Sequence, residues 1–175
     1  MKYTTIIVMA FLFLGQWGTA QDWANLARFQ KDNAELNAPS KKENRVVFMG
    51  NSITEGWSNI QPEFFEGKRY INRGISGQTT PQMLIRFRQD VIDLEPKAVV
   101  ILAGTNDIAG NTGPSTVEMI QDNIASMAEI ADANGIKVIL ASTLPAFDYP
   151  WAQGKNPDTK IPALNKCMKK YAKRK

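Results

Sequence analysis

The chain has 175 residues, of which 43% are hydrophobic and 22% are charged, and it contains one cysteine and no histidine. This length is sufficient for one domain with a substantial core, and a single cysteine excludes both an intramolecular disulfide and a cysteine-based zinc site. The formal net charge is +4, but six basic residues lie in the last ten positions, so the basic character is local to that end. Such an end is most often a solvated helix terminus, and without interleaved aromatic residues it gives no support for nucleic-acid binding.

The first twenty residues predict a secretory signal peptide. Lys2 precedes an apolar stretch from Ile6 to Leu14, and Gly18-Thr19-Ala20 supplies the small residues of a cleavage site. The apolar stretch is short for a bilayer span, so a stable membrane anchor is the less favoured alternative. No cysteine follows the predicted cleavage site, so a lipid anchor is not expected there. We therefore expect cleavage near Ala20, export to the periplasm or the cell exterior, and one domain over residues 21–175.

The exported part is predicted to begin with a helix from Trp23 to Leu36, with Asp22 as its N-cap. Pro39 to Lys42 interrupts the helical pattern. Arg45 to Met49 then forms a nearly continuous apolar run, which is typical of a strand in a parallel sheet covered on both faces. This strand ends in Gly50-Asn51-Ser52, so it would present a serine at its tip.

Two further strands follow, and each ends in a polar, glycine-containing segment. Tyr70 to Ile75 predicts the second strand, and Thr80 is a candidate N-cap for a helix that Pro96 ends. Ala98 to Ala103 predicts the third strand, and Gly104-Thr105-Asn106-Asp107 follows it.

The remainder of the chain continues the alternation of helix and strand. Ser115 to Glu118 matches a capping box and begins a helix that Asn134-Gly135 ends. Ile136 to Ala141 predicts a fourth strand, Leu144 to Pro157 a loop rich in aromatic residues and prolines, and Ile161 to Tyr171 a last helix. Strands that alternate with helices predict right-handed crossovers and a parallel α/β sheet.

Polar segments follow three of the four predicted strands, and all three are expected at one edge of the sheet. In open parallel sheets, ligands bind beyond the carboxyl ends of the strands. A helix cap or a tight turn would explain each segment taken alone. Their occurrence together favours a catalytic site at this edge, built from the segments Gly50 to Ser52, Gly74 to Gly77 and Gly104 to Asp107.

These segments resemble sequence blocks of the SGNH (GDSL-type) hydrolases. The three matching blocks are Gly50 to Thr54, Asn72 to Thr80 and Gly104 to Asp107, in the family's order. The resemblance implies an α/β fold: a three-layer, flavodoxin-like parallel sheet with helices on both faces, extending to about Tyr171. It also implies acyl ester hydrolysis, with no metal or other cofactor.

The resemblance further implies roles for individual residues. Ser52 would be the nucleophile and would hold the oxyanion through its backbone N–H, Gly77 would add a second backbone N–H, and Asn106 a side-chain amide. Preorganised donors of this kind stabilise a tetrahedral intermediate, and glycine lets the backbone approach closely. Asn51 stands where the family usually has aspartate.

The family's last block, in which an aspartate precedes a histidine by three residues, has no counterpart here. The chain therefore resembles a family member that lacks the last strand and helix. Glu55 and Asp107 are the nearest candidates for a substitute base, but a carboxylate at its usual pKa is a weak base for a serine hydroxyl. We predict little or no esterase activity for this chain alone, and an exposed edge of the fourth strand that invites self-association.

The substrate is expected to be a small ester. Asn51 and the aromatic residues Trp57, Tyr149 and Trp151 are candidate substrate contacts, although the aromatic rings would serve equally well to cover the core. Rings that stack on a sugar would suit a carbohydrate O-acetyl ester, and a short-chain lipid ester is almost as well supported. The alternative function is a non-catalytic domain that binds a small molecule or a sugar in the same pocket.

Overall fold

The computed structural model describes residues 21–175, so the predicted signal peptide over residues 1–20 lies outside the described residues. The described chain forms a four-stranded sheet in the order β2-β1-β3-β4, and all strand pairs are parallel. The predicted α/β fold with a flavodoxin-like parallel sheet is therefore confirmed. The strands are β1 (Val46–Gly50), β2 (Tyr70–Gly74), β3 (Ala98–Leu102) and β4 (Lys137–Leu140); the α-helices are α1 (Gln30–Glu35), α2 (Ser52–Ile60), α3 (Pro62–Phe65), α4 (Thr80–Asp90), α5 (Thr105–Ala109), α6 (Val117–Ala133) and α7 (Pro157–Ala172).

Helices cover both faces of the sheet because alternate strand residues point to opposite sides. On one face, Val47, Met49 and Val99 are fully buried in the main core, where α6 packs beside both α4 and α7. On the other face, the Phe48 ring lies in an aromatic cluster with rings from α2, α3 and β2. The members of this aromatic cluster are Phe48, Trp57, Phe64, Phe65 and Tyr70.

The first helix begins later than predicted. The Asp22 carboxylate does accept hydrogen bonds from the backbone N–H groups of Leu26 and Ala27, at 2.7 and 2.9 Å. However, Asn25 has a left-handed backbone with φ 56°, which ends any helix started at Trp23. The chain therefore turns before it forms a 3₁₀ turn over Leu26–Phe29 and then α1.

The N-cap of α4 is Thr79 rather than the predicted Thr80. Thr79 forms a capping box with Gln82, whose side chain accepts the Thr79 backbone N–H at 3.0 Å. Thr80 is the first helical residue, and its hydroxyl donates to Asp107 at 2.6 Å. The start of α4 is thereby joined to α5, the short helix that follows β3.

Two later helix starts also differ from prediction by a few residues. Thr116 rather than Ser115 caps α6, since its hydroxyl accepts the Met119 backbone N–H at 3.2 Å. The last helix begins at Pro157 rather than at Ile161. Proline suits the first helical position, because the N–H that it lacks has no partner there.

One side of the sheet remains open. β4 pairs only with β3, so its other edge has no strand neighbour among residues 21–175. On the face covered by α2 and α3, the side chain of Ile139 is 45% exposed and Val100 and Leu102 are half-buried. Within the same residues, no helix combines the length and apolar character needed to cross a membrane.

Candidate active site

Ser52 lies at the carboxyl end of β1 as the first residue of α2, and it is exposed. The preceding residue, Asn51, is the N-cap, and its Oδ1 accepts the backbone N–H of Ile53 at 3.0 Å. The first N–H groups of a helix have no intrahelical partner and carry partial positive charge. The start of α2 therefore favours an anion next to the Ser52 side chain.

The turn from β1 into α2 depends on close packing against β2. Gly74, the last residue of β2, is buried beside the first turn of α2, and a Cβ there would lie 2.7 Å from Glu55 Cα and 2.8 Å from Asn51 O. Real side chains do not tolerate such contacts with backbone atoms. Glycine at this position lets α2 start directly over the end of β2, which places Ser52 beside the Ile75–Gly77 loop.

Gly77 lies in this loop with a left-handed backbone, φ 77°. A Cβ would meet no atom closer than 3.9 Å, so the backbone angle rather than space accounts for glycine. The Gly77 carbonyl accepts a hydrogen bond from Asn111 Nδ2 at 3.0 Å, which holds the loop against the segment after α5.

Asn106 is buried in α5, at the carboxyl end of β3. Its Nδ2 donates to the carbonyl of Gln78 at 2.9 Å, so the side chain reaches the residue that follows Gly77. An asparagine amide has two N–H donors, and this contact occupies one of them. The structure therefore brings the Asn106 side chain to the end of the loop that contains Gly77.

Asn51, Trp57 and Tyr149 have structural surroundings that differ from those predicted for substrate contacts. Asn51 is 1% exposed and acts as the helix cap described above. Trp57 belongs to the aromatic cluster, with its ring 4.5 Å from that of Phe64, so it covers the core. Tyr149 is 2% exposed and stacks on Trp151 at 5.0 Å. Of the predicted aromatic contacts, only the 63% exposed Trp151 presents a substantial surface to solvent.

The two carboxylates considered as substitute bases are engaged elsewhere. The Glu55 carboxylate accepts hydrogen bonds from both the backbone N–H and the hydroxyl of Ser76, and it lies 3.6 Å from Arg28. Asp107 accepts hydrogen bonds from the backbone N–H and the hydroxyl of Thr80. Burial raises the pKa of Asp107, and the bonds from Thr80 oppose this rise. Neither set of contacts includes the hydroxyl of Ser52.

A buried arginine that the sequence analysis did not identify contacts the ends of the two strands beside the site. Arg86 is 0% exposed and donates to the carbonyls of Gly50 and Arg73, at 3.2 and 2.8 Å, to Gln78 Oε1 at 2.6 Å and to Asp90 at 3.0 Å. Burial lowers the pKa of its guanidinium, and Asp90 opposes this effect. A signal was present, since Arg86 and Asp90 fall at helical spacing on the buried face of α4.

A groove of about 390 Å³ opens beside Ser52. It is lined by polar side chains on α2 and by the N-terminal segment of the described chain. Within residues 21–175, no group of three or more His, Cys, Asp or Glu side chains is arranged to hold a metal ion. The residues that line the groove include Arg28, Ser52, Glu55, Asn59 and Ser76.

Comparison with known proteins gives the family. The model of the GDSL-like lipase/acylhydrolase family matches residues 48–175, which is most of the chain. The chain belongs to this family. The resemblance seen in the three sequence blocks is thereby confirmed.

Known relatives agree with this assignment. A GDSL-like lipase of Bacteroides thetaiotaomicron has a similar structure, with a TM-score of 0.84 and 56% identity, covering 86% of this chain and 74% of the other. The uncharacterized lipoprotein YqeF of Bacillus subtilis is 35% identical over 59% of this chain and 49% of its own. Esterase TesA of Pseudomonas aeruginosa is 32% identical over 53% of this chain and 46% of its own. The chain thus spans about half the length of the curated relatives it matches.

Proposed function

We propose that this GDSL-family chain carries the nucleophile and the oxyanion-binding half of a serine ester hydrolase. The observation that supports the proposal is the arrangement at the carboxyl edge of the sheet. Ser52 begins α2 after β1, Gly77 follows β2, and Asn106 follows β3 and is hydrogen bonded to the residue next to Gly77. Members of the family are hydrolases, and this edge is where their chemistry would be expected.

In the proposed reaction, Ser52 Oγ attacks the carbonyl carbon of the ester. The carbonyl oxygen becomes an oxyanion, which accepts hydrogen bonds from the backbone N–H groups of Ser52 and Gly77 and from Asn106 Nδ2. One such preorganised donor typically contributes about 3 kcal/mol to stabilisation of the transition state. The bond between the acyl carbon and the alkoxy oxygen then breaks, and the alcohol leaves with the proton that Ser52 gave up. Water hydrolyses the resulting acyl-serine to the free acid and restores the Ser52 hydroxyl.

Attack requires a base that takes the Ser52 proton, and the sequence contains no histidine. Glu55 and Asp107 are held by Ser76, Arg28 and Thr80 rather than directed at Ser52. We therefore propose that the chain alone turns over esters weakly or not at all. Oxyanion stabilisation by itself leaves some catalysis over water.

The proposed substrate is a small ester, and an acetylated carbohydrate is favoured because the groove beside Ser52 is lined mainly by polar side chains. A short-chain lipid ester is the nearest alternative. The proposed location is outside the cytoplasm, supported by the N-terminal sequence pattern and by the name of the relative YqeF, which is called a lipoprotein.

The second candidate function is a binding domain that uses the same pocket without catalysis. The absence of histidine favours it, together with the engagement of both nearby carboxylates. The two functions differ in one measurable property, which is the reactivity of the Ser52 hydroxyl.

Labelling with a fluorophosphonate probe tests this reactivity in the full chain. We expect slow covalent labelling that is lost in Ser52→Ala and retained in Ser126→Ala, a matched change on the exposed face of α6. Hydrolysis of p-nitrophenyl acetate, measured in parallel, should be weak and should depend on Ser52. Absence of labelling at Ser52 would support the binding domain instead, and rapid turnover abolished by Ser52→Ala would show that the chain does have an effective base.

A further inference from the structure

A second groove, of about 490 Å³, is lined in part by the Ile75–Gly77 loop. Ser76 also lines the groove beside Ser52, so the two grooves are neighbours. The second groove is formed by the N-terminal segment, the start of α4 and the residues after α5. The residues that line it include Asp22, Trp23, Asn25, Gln82, Asn111 and Thr112.

Trp23 gives this groove an exposed aromatic surface, since 45% of the residue is accessible. Its backbone is firmly held: Gln82 Nε2 donates to the Trp23 carbonyl at 2.6 Å, and Gln78 Nε2 donates to the carbonyl of Ala24 at 2.7 Å. Both glutamines follow Gly77 closely in the chain. The position of Trp23 is therefore coupled to the loop that would bind the oxyanion.

The polar side chains of the groove suit a neutral ligand. Among the described residues that line it, none is lysine or arginine, and Asp22 is the only charged one. Backbone N–H groups of Ala27 and Leu26 hold the pKa of Asp22 below its ordinary value, so its carboxylate is ionised at neutral pH. A phosphate group would be repelled by this charge, whereas sugar hydroxyls can donate to a carboxylate and bond to amides.

We propose that this groove is a subsite for a neutral sugar ring, which stacks on Trp23 and belongs to the alcohol part of the ester. A large, flat aromatic side chain with nearby amide groups provides an apolar surface for the ring and hydrogen bonds for its hydroxyls. Trp23 lies outside residues 48–175, the part of the chain that the family model matches. The inference rests on the proposed esterase function, because it identifies the alcohol that would leave the acyl carbon when Ser52 is acylated.

The subsite is tested by binding of sugars that carry no ester, so that the result does not depend on the reactivity of Ser52. We expect isothermal titration calorimetry on the full chain to show binding of xylotetraose or cellotetraose. Trp23→Ala should weaken this binding at least about tenfold, which corresponds to about 1.4 kcal/mol. Trp23→Phe should retain most of the affinity, since an aromatic face remains.

Phe147→Ala is the matched control, because Phe147 is an aromatic residue that is 88% exposed and does not line this groove. It should leave the sugar affinity unchanged. The proposal is overturned if neither sugar binds, if Trp23→Ala binds as well as the unaltered chain, or if only a short-chain phosphatidylcholine binds in a Trp23-dependent manner. Sugar binding through Trp23 without labelling of Ser52 would retain the groove as a sugar site and refute the esterase function instead.

Discussion

At the scale of single residues, the site is defined by how few polar groups are left free to act. Asn51 is occupied in capping α2, Glu55 in binding Ser76, and one donor of Asn106 in binding Gln78. The second donor of Asn106 and the backbone N–H of Ser52 remain for an oxyanion, since the Ile53 N–H is bonded to Asn51. The groups held in place are therefore the hydrogen-bond donors that would stabilise an oxyanion. None of these contacts provides a base for the Ser52 hydroxyl.

Asp107 provides a prediction about pH. It is 2% exposed, its Oδ1 is bound by Thr80, and its Oδ2 has no hydrogen-bond partner among residues 21–175. Burial raises its pKa in the folded state, so the fold favours the protonated form. The corresponding stabilisation is present below the pKa of the unfolded chain and is lost as pH rises through the raised pKa.

Asp107→Asn should therefore become more stable relative to the unaltered chain as pH rises from about 4 to 8, because the amide keeps the Thr80 acceptor and buries no charge. Urea denaturation at several pH values measures this difference. Asp93→Asn, at an exposed site, is the control and should show no comparable trend. A difference that does not change with pH would contradict the assignment of the shift to Asp107.

At the scale of secondary structure elements, Arg86 connects three of them. It lies on α4 and donates to the last residue of β1 and to Arg73 of β2, while Asp90 on the same helix neutralises its charge. Because Gly50 immediately precedes the Asn51-Ser52 turn, these bonds hold the end of the strand that presents the nucleophile. The arginine therefore supports both the sheet and the start of α2.

Arg86→Met should destabilise the fold by about 3–5 kcal/mol, because it leaves Asp90 buried without its partner. The double variant Arg86→Met, Asp90→Leu should recover a large part of this loss, since no unpaired charge remains. Denaturation midpoints of the two variants give the comparison. Arg88→Met, on the exposed face of the same helix, should stay within about 0.5 kcal/mol of the unaltered chain. Equal losses in the single and double variants would show that packing, rather than the charge pair, dominates.

At the scale of the whole molecule, the open side of the sheet is the dominant feature. β4 carries unpaired backbone groups along its outer edge, and Ile139 exposes apolar surface beside it. An exposed edge of this kind is a template for pairing with another chain. We therefore expect the 175-residue chain to self-associate as its concentration increases.

Ile139→Lys should reduce this association, because a charge beside an open edge opposes strand pairing. Sedimentation velocity over a range of protein concentrations measures the effect. Ile85→Lys makes the same change at a 53% exposed site on α4 and should leave association unchanged. A monomer at all concentrations, with a sharp melting transition that does not depend on concentration, would refute the expectation.

The order of the elements, the parallel direction of the strands and the positions of Ser52, Gly77 and Asn106 after three of them can be predicted from the residues alone. Apolar runs, glycines and capping residues act locally, so their pattern is visible without the fold. The predicted helix boundaries are less accurate, because local patterns do not include contacts between distant residues. The left-handed turn at Asn25 lies inside the predicted first helix, and Thr80 bonds to Asp107 instead of capping α4.

Which residues line the grooves depends instead on how distant parts of the chain pack together. Trp57 and Tyr149 are predicted equally as substrate contacts or as cover for the core, and their rings stack on other aromatic rings. Trp23 is predicted to lie in a helix, yet it lines the groove beside the Gly77 loop. Its contact with Gln82 spans 59 positions of sequence. Whether two segments this far apart in the sequence come into contact depends on the packing of the whole chain, because a local sequence pattern contains no information about a distant partner.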